Sequence, residues 1–189
     1  MSKALFIIDV QNDFTEGGAL GVVGGDAVAA GISEHLAAHP GEYAHVFASR
    51  DWHDGDNDNG GHFSATPDFV DTWPPHCVSG TRGAEYHRAL DTAAIDVHVR
   101  KGQGKPAYSI FEGTTDDGST VPEALAALGI DTVDVVGIAT DYCVRASALD
   151  AVHAGLTTRV LVALTAGVAA ESSQSALTEL AAEKVEVVR

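Results

Sequence analysis

The chain has 189 residues, 45% of them apolar and 20% charged, which supplies apolar side chains for one packed core and argues against general disorder. Its formal net charge is −16, from 27 acidic and 11 basic side chains. Such a surface repels phosphate backbones and anionic membranes, so nucleic acid and membrane are set aside as partners. No apolar run approaches the roughly 20 residues that span a bilayer. Asp9 interrupts the short apolar start, which therefore does not read as a signal peptide. Two cysteines are too few for a disulfide framework, so a cytoplasmic setting with both thiols free is expected.

In chain order, Ala4 to Val10 is a buried strand candidate, and Val28, Ile32 and Leu36 fall on one face of a helix. Tyr43 to Asp51 reads as a second strand. Residues 52 to 83 are rich in Gly, Pro, Asn, Asp and His and have no period, which predicts a long functional loop. A short helix is expected around Ala84 to Leu90, then a third strand at Ile95 to Lys101. Val121, Leu125 and Leu128 mark a helix stopped by Gly129. Thr132 to Ala139 is a fourth strand, and Val144, Ala148 and Val152 mark the helix after it, ended by Gly155. A fifth strand at Arg159 to Leu164, a helix near Ser173 to Glu183 and a sixth strand at Val185 to Val188 close the chain. This alternation predicts a single domain over residues 1–189, a three-layer α/β/α sandwich around a mostly parallel six-stranded sheet. In such a sheet the strand C-termini share one edge, and ligands bind there at the point where strand order reverses. Asp9, Asp51, Lys101 and Cys143 each fall at or just past a predicted strand end.

The segment from Val136 to Val144 runs from strand through tight turn into helix, with Thr140 or Asp141 as candidate cap and Cys143 in the first turn. A helix N-terminus favours a thiolate, and its free N–H groups can hold an oxyanion. An intracellular cysteine is more often a small buried hydrophobe; a carboxylate and a lysine on the same sheet edge tip the reading of Cys143 toward a nucleophile. Cys77, in the loop after His76, reads as structural. Asp9 can take the thiol proton and pass it to a leaving amine. Lys101 can stabilise the thiolate and hold Asp9. Asp13 reads as a turn or capping residue. Asp51 and His53, two apart in an extended segment, face the same way, and His62 and His76 follow in the loop, His76 behind two prolines. An aspartate with two or three histidines suits zinc, iron or manganese. By spacing alone the same residues serve equally as surface histidines of a polar loop. His87 is not read as a ligand.

Taken together, Ile7-Ile8-Asp9-Val10-Gln11-Asn12-Asp13-Phe14, Ser49-Arg50-Asp51-Trp52-His53, His62-Phe63-Ser64, Trp73-Pro74-Pro75-His76-Cys77-Val78, Lys101-Gly102, Phe111-Glu112-Gly113 and Gly137-Ile138-Ala139-Thr140-Asp141-Tyr142-Cys143-Val144 match a family in order along almost the whole chain. The sequence resembles the nicotinamidase/pyrazinamidase group of the isochorismatase-like cysteine hydrolases. The resemblance implies a triad of Asp9, Lys101 and Cys143, and metal ligands Asp51, His53, His62 and His76 for one divalent ion (zinc, iron or manganese). It implies Phe14, Trp73 and Tyr108 around a nicotinamide-like aromatic amide, an oxyanion hole from the backbone N–H groups of Ala139 and Cys143, and a cis peptide between Ile138 and Ala139. The stretch Gly55 to Gly61 departs from the family in length. The implied reaction converts nicotinamide to nicotinate and ammonia, and pyrazinamide to pyrazinoate, through a thioester, in NAD salvage. The alternative is a related cysteine amidase for another small amide or ureido compound, whose members generally lack the Asp51/His53/His76 set.

Overall fold

A computed structural model describes residues 2–189. Seven strands form one sheet in the order β4-β3-β2-β1-β5-β6-β7. They are β1 (Ser2–Ile8), β2 (His45–Asp51), β3 (Val97–Lys101), β4 (Thr114–Thr115), β5 (Ile130–Ile138), β6 (Thr157–Ala166) and β7 (Glu186–Val188). All neighbours pair in parallel except β3 and β4. The six expected strands are thus present, and the seventh, β4, is an antiparallel two-residue edge piece paired with Val99 and Arg100. Two residues are too few to leave a period in the sequence.

The apolar run of β1 is buried on both faces, as a central parallel strand requires. Leu5 and Ile7 pack toward Val28, Ala29 and Ile32 of α1 (Gly25–Ala38). Phe6 and Ile8 face the opposite core, which takes Leu125 of α2 (Val121–Leu128), Ala148 of α3 (Arg145–His153) and Leu180 of α4 (Ala170–Ala182). Helices therefore cover both faces, one on the first and three on the second. α2 is fixed at both ends: Thr120 and Glu123 form a capping box, and Gly129 ends it in the left-handed conformation at φ 65°. Among the described residues no helix is long and apolar enough to cross a membrane.

The helix expected around Ala84 to Leu90 is absent. A 3₁₀ turn covers Arg82–Ala84, and the following backbone pairs elsewhere: the Glu85 carbonyl accepts from Asn12, the His87 N–H donates to Val10, and Tyr86 bridges to Gln11. Those partners satisfy the groups a helix would have paired within itself. The cap expected before α3 is also different. A π-helical turn, Thr140–Val144, precedes α3, and no side chain caps it. The Asp141 carboxylate instead accepts from the N–H groups of Val168 and Ala169 and from Ser172 Oγ, at the start of α4.

One buried ion cluster ties the central strands together. Asp134 of β5 accepts two bonds of 2.6 Å from Arg159 of β6, lies 2.7 Å from Lys3 Nζ of β1, and accepts from Tyr43 Oη at 2.8 Å. Burial pushes this carboxyl up, but the bonds from Arg159, Lys3 and Tyr43 outweigh burial and hold it below its usual range. Its stabilising contribution is therefore complete above the ordinary carboxylate range and lost as pH falls through the lowered folded value. Asp134→Ala is expected to cost about 1–3 kcal/mol at neutral pH. Urea denaturation should show that gap shrinking as the pH is taken below the normal carboxylate range.

Candidate active site

Strand order reverses beside β1: the chain runs outward through β2 and β3, then returns to place β5 on the other side of β1. The C-terminal ends of β1, β2, β3 and β5 consequently deliver Asp9, Asp51, Lys101 and the Ala139–Cys143 turn to one crevice. Asp9 leaves β1 with φ 49°, and Ile138–Ala139 is a cis peptide, as the resemblance implied. Gly137 has φ 113°, and a Cβ there would meet the Ile8 carbonyl oxygen at 2.2 Å, so only glycine lets β5 lie this close to the end of β1.

Lys101 is fully buried. Its Nζ lies 2.9 Å from Asp9 Oδ2 and 3.7 Å from Cys143 Sγ, and it also bonds Asp51 Oδ1. Asp9 in turn accepts from Ser49 Oγ at 2.6 Å. Burial alone would strip the lysine of its proton, but Asp51 and Asp9 hold it well above its usual range, so it stays an ammonium. Burial raises the Asp9 carboxyl, and Asp51 nearby raises it further, against the lowering pull of Lys101 and Ser49. Burial also pushes the Cys143 thiol well up; Lys101 works against this and the two carboxylates reinforce it. The helix-terminus thiolate expected from the sequence is thus outweighed by desolvation. The resting group is a thiol, joined through Lys101 to a carboxylate whose proton affinity is also raised.

The second half of the crevice holds three imidazoles. One nitrogen each of His53, His62 and His76 lies within 4.8 Å of the others. Asp51 Oδ2, the oxygen not bonded to Lys101, is 3.6 Å from His53 Nε2 and 3.8 Å from His76 Nε2. His53 Nδ1 donates to the Gly102 carbonyl at 2.7 Å and His76 Nδ1 donates to the Pro74 carbonyl at 2.8 Å, which leaves each Nε2 as a lone pair. His53 Nε2 and His62 Nδ1 are buried with no hydrogen-bond partner. His62 is pulled down to about 4, by burial first and then by the two neighbouring imidazoles, which keeps it neutral. Buried, outwardly anchored imidazoles beside a carboxylate fit a divalent metal ion.

A cavity of about 460 Å³ opens over both halves, within the range of small-molecule sites. Cys143, Ala139, Asp51, His62 and His76 line it, while Asp9 and Lys101 lie behind the thiol. Phe14, Trp73 and Tyr108 line it as well, together with Tyr142. Trp73 Nε1 donates to Tyr108 Oη at 3.2 Å, and its ring meets Tyr142 edge-on with centroids 5.3 Å apart.

The site residues singled out in the sequence converge here, with Asp9, His53 and Lys101 behind the cavity wall and the others lining it, and the structure adds residues that pattern reading passed over. Ser49 stands two residues before Asp51, so strand periodicity could have placed it on the same face. Gln11 is fully buried and joins two segments: its side chain accepts from the Asp51 N–H and donates to the carbonyls of Asp51 and Ala84. Asn59, also fully buried, clasps the loop that presents His62, accepting from Asp54 and Gly104. Asp13, in the 3₁₀ turn Asn12–Phe14 that follows β1, ties that loop down by accepting from the Cys77 N–H at 2.7 Å, and Cys77 itself is fully buried. His87 faces Asp26 and stays apart from the imidazole group.

This fold and crevice define a family. The chain belongs to the isochorismatase family, whose domain description, "Isochorismatase domain", matches residues 3–189. It is 54% identical over 186 residues to the nicotinamidase/pyrazinamidase of Mycobacterium tuberculosis, covering 98% of each chain. Among solved structures it is similar to the pyrazinamidase of Pyrococcus horikoshii in complex with zinc (TM-score 0.83, 34% identity, 100% of this chain and 99% of that one). It is similar also to PnC1 from L. infantum in complex with nicotinate (TM-score 0.85, 33% identity, 100% and 92%). The family read from the motifs is the family found.

Gly102 offers a direct test of the imidazole arrangement. It has φ +86°, and a Cβ there would sit 2.6 Å from His53 Cε1. Gly102→Ala is expected to rotate His53 and weaken zinc binding by about 10–100-fold, the usual effect of disturbing a ligand's outer partner. Competition with a chelating zinc indicator would measure it.

Proposed function

We propose that the chain hydrolyses nicotinamide to nicotinate and ammonia, and pyrazinamide in the same way, with Cys143 as nucleophile. The observation that carries this reading is Lys101 in contact with both Asp9 and Cys143 at the floor of an aromatic cavity, beside a cluster of three imidazoles. The relatives named nicotinamidase and the structures with nicotinate and zinc support the same substrate class.

In this mechanism Asp9 accepts the thiol proton, and Lys101 holds both the resulting thiolate and the Asp9 carboxyl in place. Sγ attacks the carboxamide carbon, and the C–S bond forms as the carbonyl π pair moves to oxygen. The N–H groups of Ala139 and Cys143 are assigned to that oxyanion. The C–N bond then breaks, and ammonia leaves with the proton held by Asp9. Water, deprotonated by Asp9, adds to the thioester. Collapse breaks the C–S bond, releases the carboxylic acid and returns the proton to sulfur. The raised proton affinity of Asp9 suits a group that takes and gives a proton in each half-reaction.

Asp51, His53, His62 and His76 would hold one divalent ion, zinc, iron or manganese. When bound, the ion supplies a Lewis-acid site for the ring nitrogen of the substrate. Phe14, Trp73, Tyr108 and Tyr142 give the ring apolar walls, and the Trp73–Tyr108 hydrogen bond fixes two of them. The ureido alternative has no use for these inward-facing imidazoles. A cytoplasmic enzyme of NAD salvage is the setting that matches two free thiols and a strongly acidic surface.

The test is ammonia release from nicotinamide by wild type and Cys143→Ala, with metal content measured on both. Turnover is expected to fall by at least about a thousandfold in the variant while bound metal is retained. Full turnover by Cys143→Ala, or no ammonia from the metal-loaded wild type, would overturn the reading.

A further inference from the structure

The far end of α1 lies at the N-terminal edge of the sheet, away from the crevice. There His35 occupies the last turn, His39 caps the helix, and Glu42 follows in the turn that leads to β2. Histidines four apart on a helix share one face, the spacing that lets two imidazoles meet one ion. The two rings lie with centroids 4.4 Å apart, and one nitrogen of each, with a Glu42 carboxylate oxygen, fall within 4.8 Å of one another. All three groups are reachable from solvent.

Their hydrogen bonds fix the tautomers. The Tyr43 hydroxyl donates its single proton to Asp134 Oδ2, so the 2.9 Å contact between Tyr43 Oη and His35 Nε2 requires Nε2 to carry hydrogen. His35 Nδ1 is then left as a lone pair. His39 Nδ1 donates to the His35 carbonyl at 2.8 Å, which leaves Nε2 as the lone pair of that ring. Each ring thus has one nitrogen anchored by an outer partner and the other free to donate, the arrangement found at metal-binding histidines. Glu42 Oε1 lies 2.6 Å from Lys3 Nζ and 3.8 Å from Arg159 Nη2, so an ion would take the other oxygen, Oε2. Asp134, buried behind Tyr43, anchors the chain of donors from the protein side.

The geometry points to a second divalent-metal site, formed by His35, His39 and Glu42, of the imidazole–carboxylate class that takes zinc, copper or nickel with water completing the shell. It is independent of the chemistry at Cys143. Its ion would clip the end of α1 to the turn before β2, and would stabilise the fold by mass action when bound.

The experiment is a zinc count on the whole protein, dialysed against buffered low-micromolar zinc, for wild type, His39→Ala and His39→Gln. Wild type is expected to bind one equivalent more than either variant, and both variants are expected to keep wild-type ammonia release. The difference between chains is what is read, so it stands whether or not the crevice hydrolyses nicotinamide. Equal zinc content in wild type and both variants would overturn the proposal.

Discussion

A fully buried ammonium sets the terms for everything around it. Lys101 has no water to solvate its charge, and a lone buried cation would lose its proton. It keeps that proton because Asp9 and Asp51 approach it from the neighbouring strands β1 and β2. Removing the lysine would leave two buried carboxylates facing each other without a cation, so the three side chains act as a unit. The thiol joins that unit as the one neutral member.

Asp51 is shared. One of its oxygens meets the lysine and the other faces two imidazoles. A single carboxylate therefore sets the charge balance on both sides of the crevice. The supports behind it are less conspicuous: the Gln11 side chain grips the Asp51 backbone, and the Gly102 carbonyl aims His53. Neither touches the cavity, yet each decides where a group in it points.

Much of this was legible in the sequence because strand ends in a parallel sheet leave a signature. Apolar runs that stop at Asp9, Asp51 and Lys101 announce both the strand and the residue delivered by it. The histidines were legible as candidates, but their convergence was not, since a loop without period gives no register. What orders that loop is a set of buried polar contacts, Asn59 to Asp54 and Gly104 and Asp13 to Cys77, that no periodicity encodes. The misread helix near residue 84 has a similar cause. Its backbone groups pair with Val10, Gln11 and Asn12, more than 70 positions earlier in the chain. Asp141 was read as a local cap, whereas its partners lie in the segment that opens α4.

The central position of the first strand has a consequence for assembly. β1 emerges first yet must wait for β5, more than 120 positions later, before its second edge is covered. A chain grown only through Lys101 would possess Asp9, Asp51 and Lys101, with Cys143 still to come and one edge of its innermost strand bare. On the proposed mechanism no intermediate lacking the β5 crossover is active, and turnover in a refolding mixture counts only molecules whose sheet is complete across the β1–β5 seam.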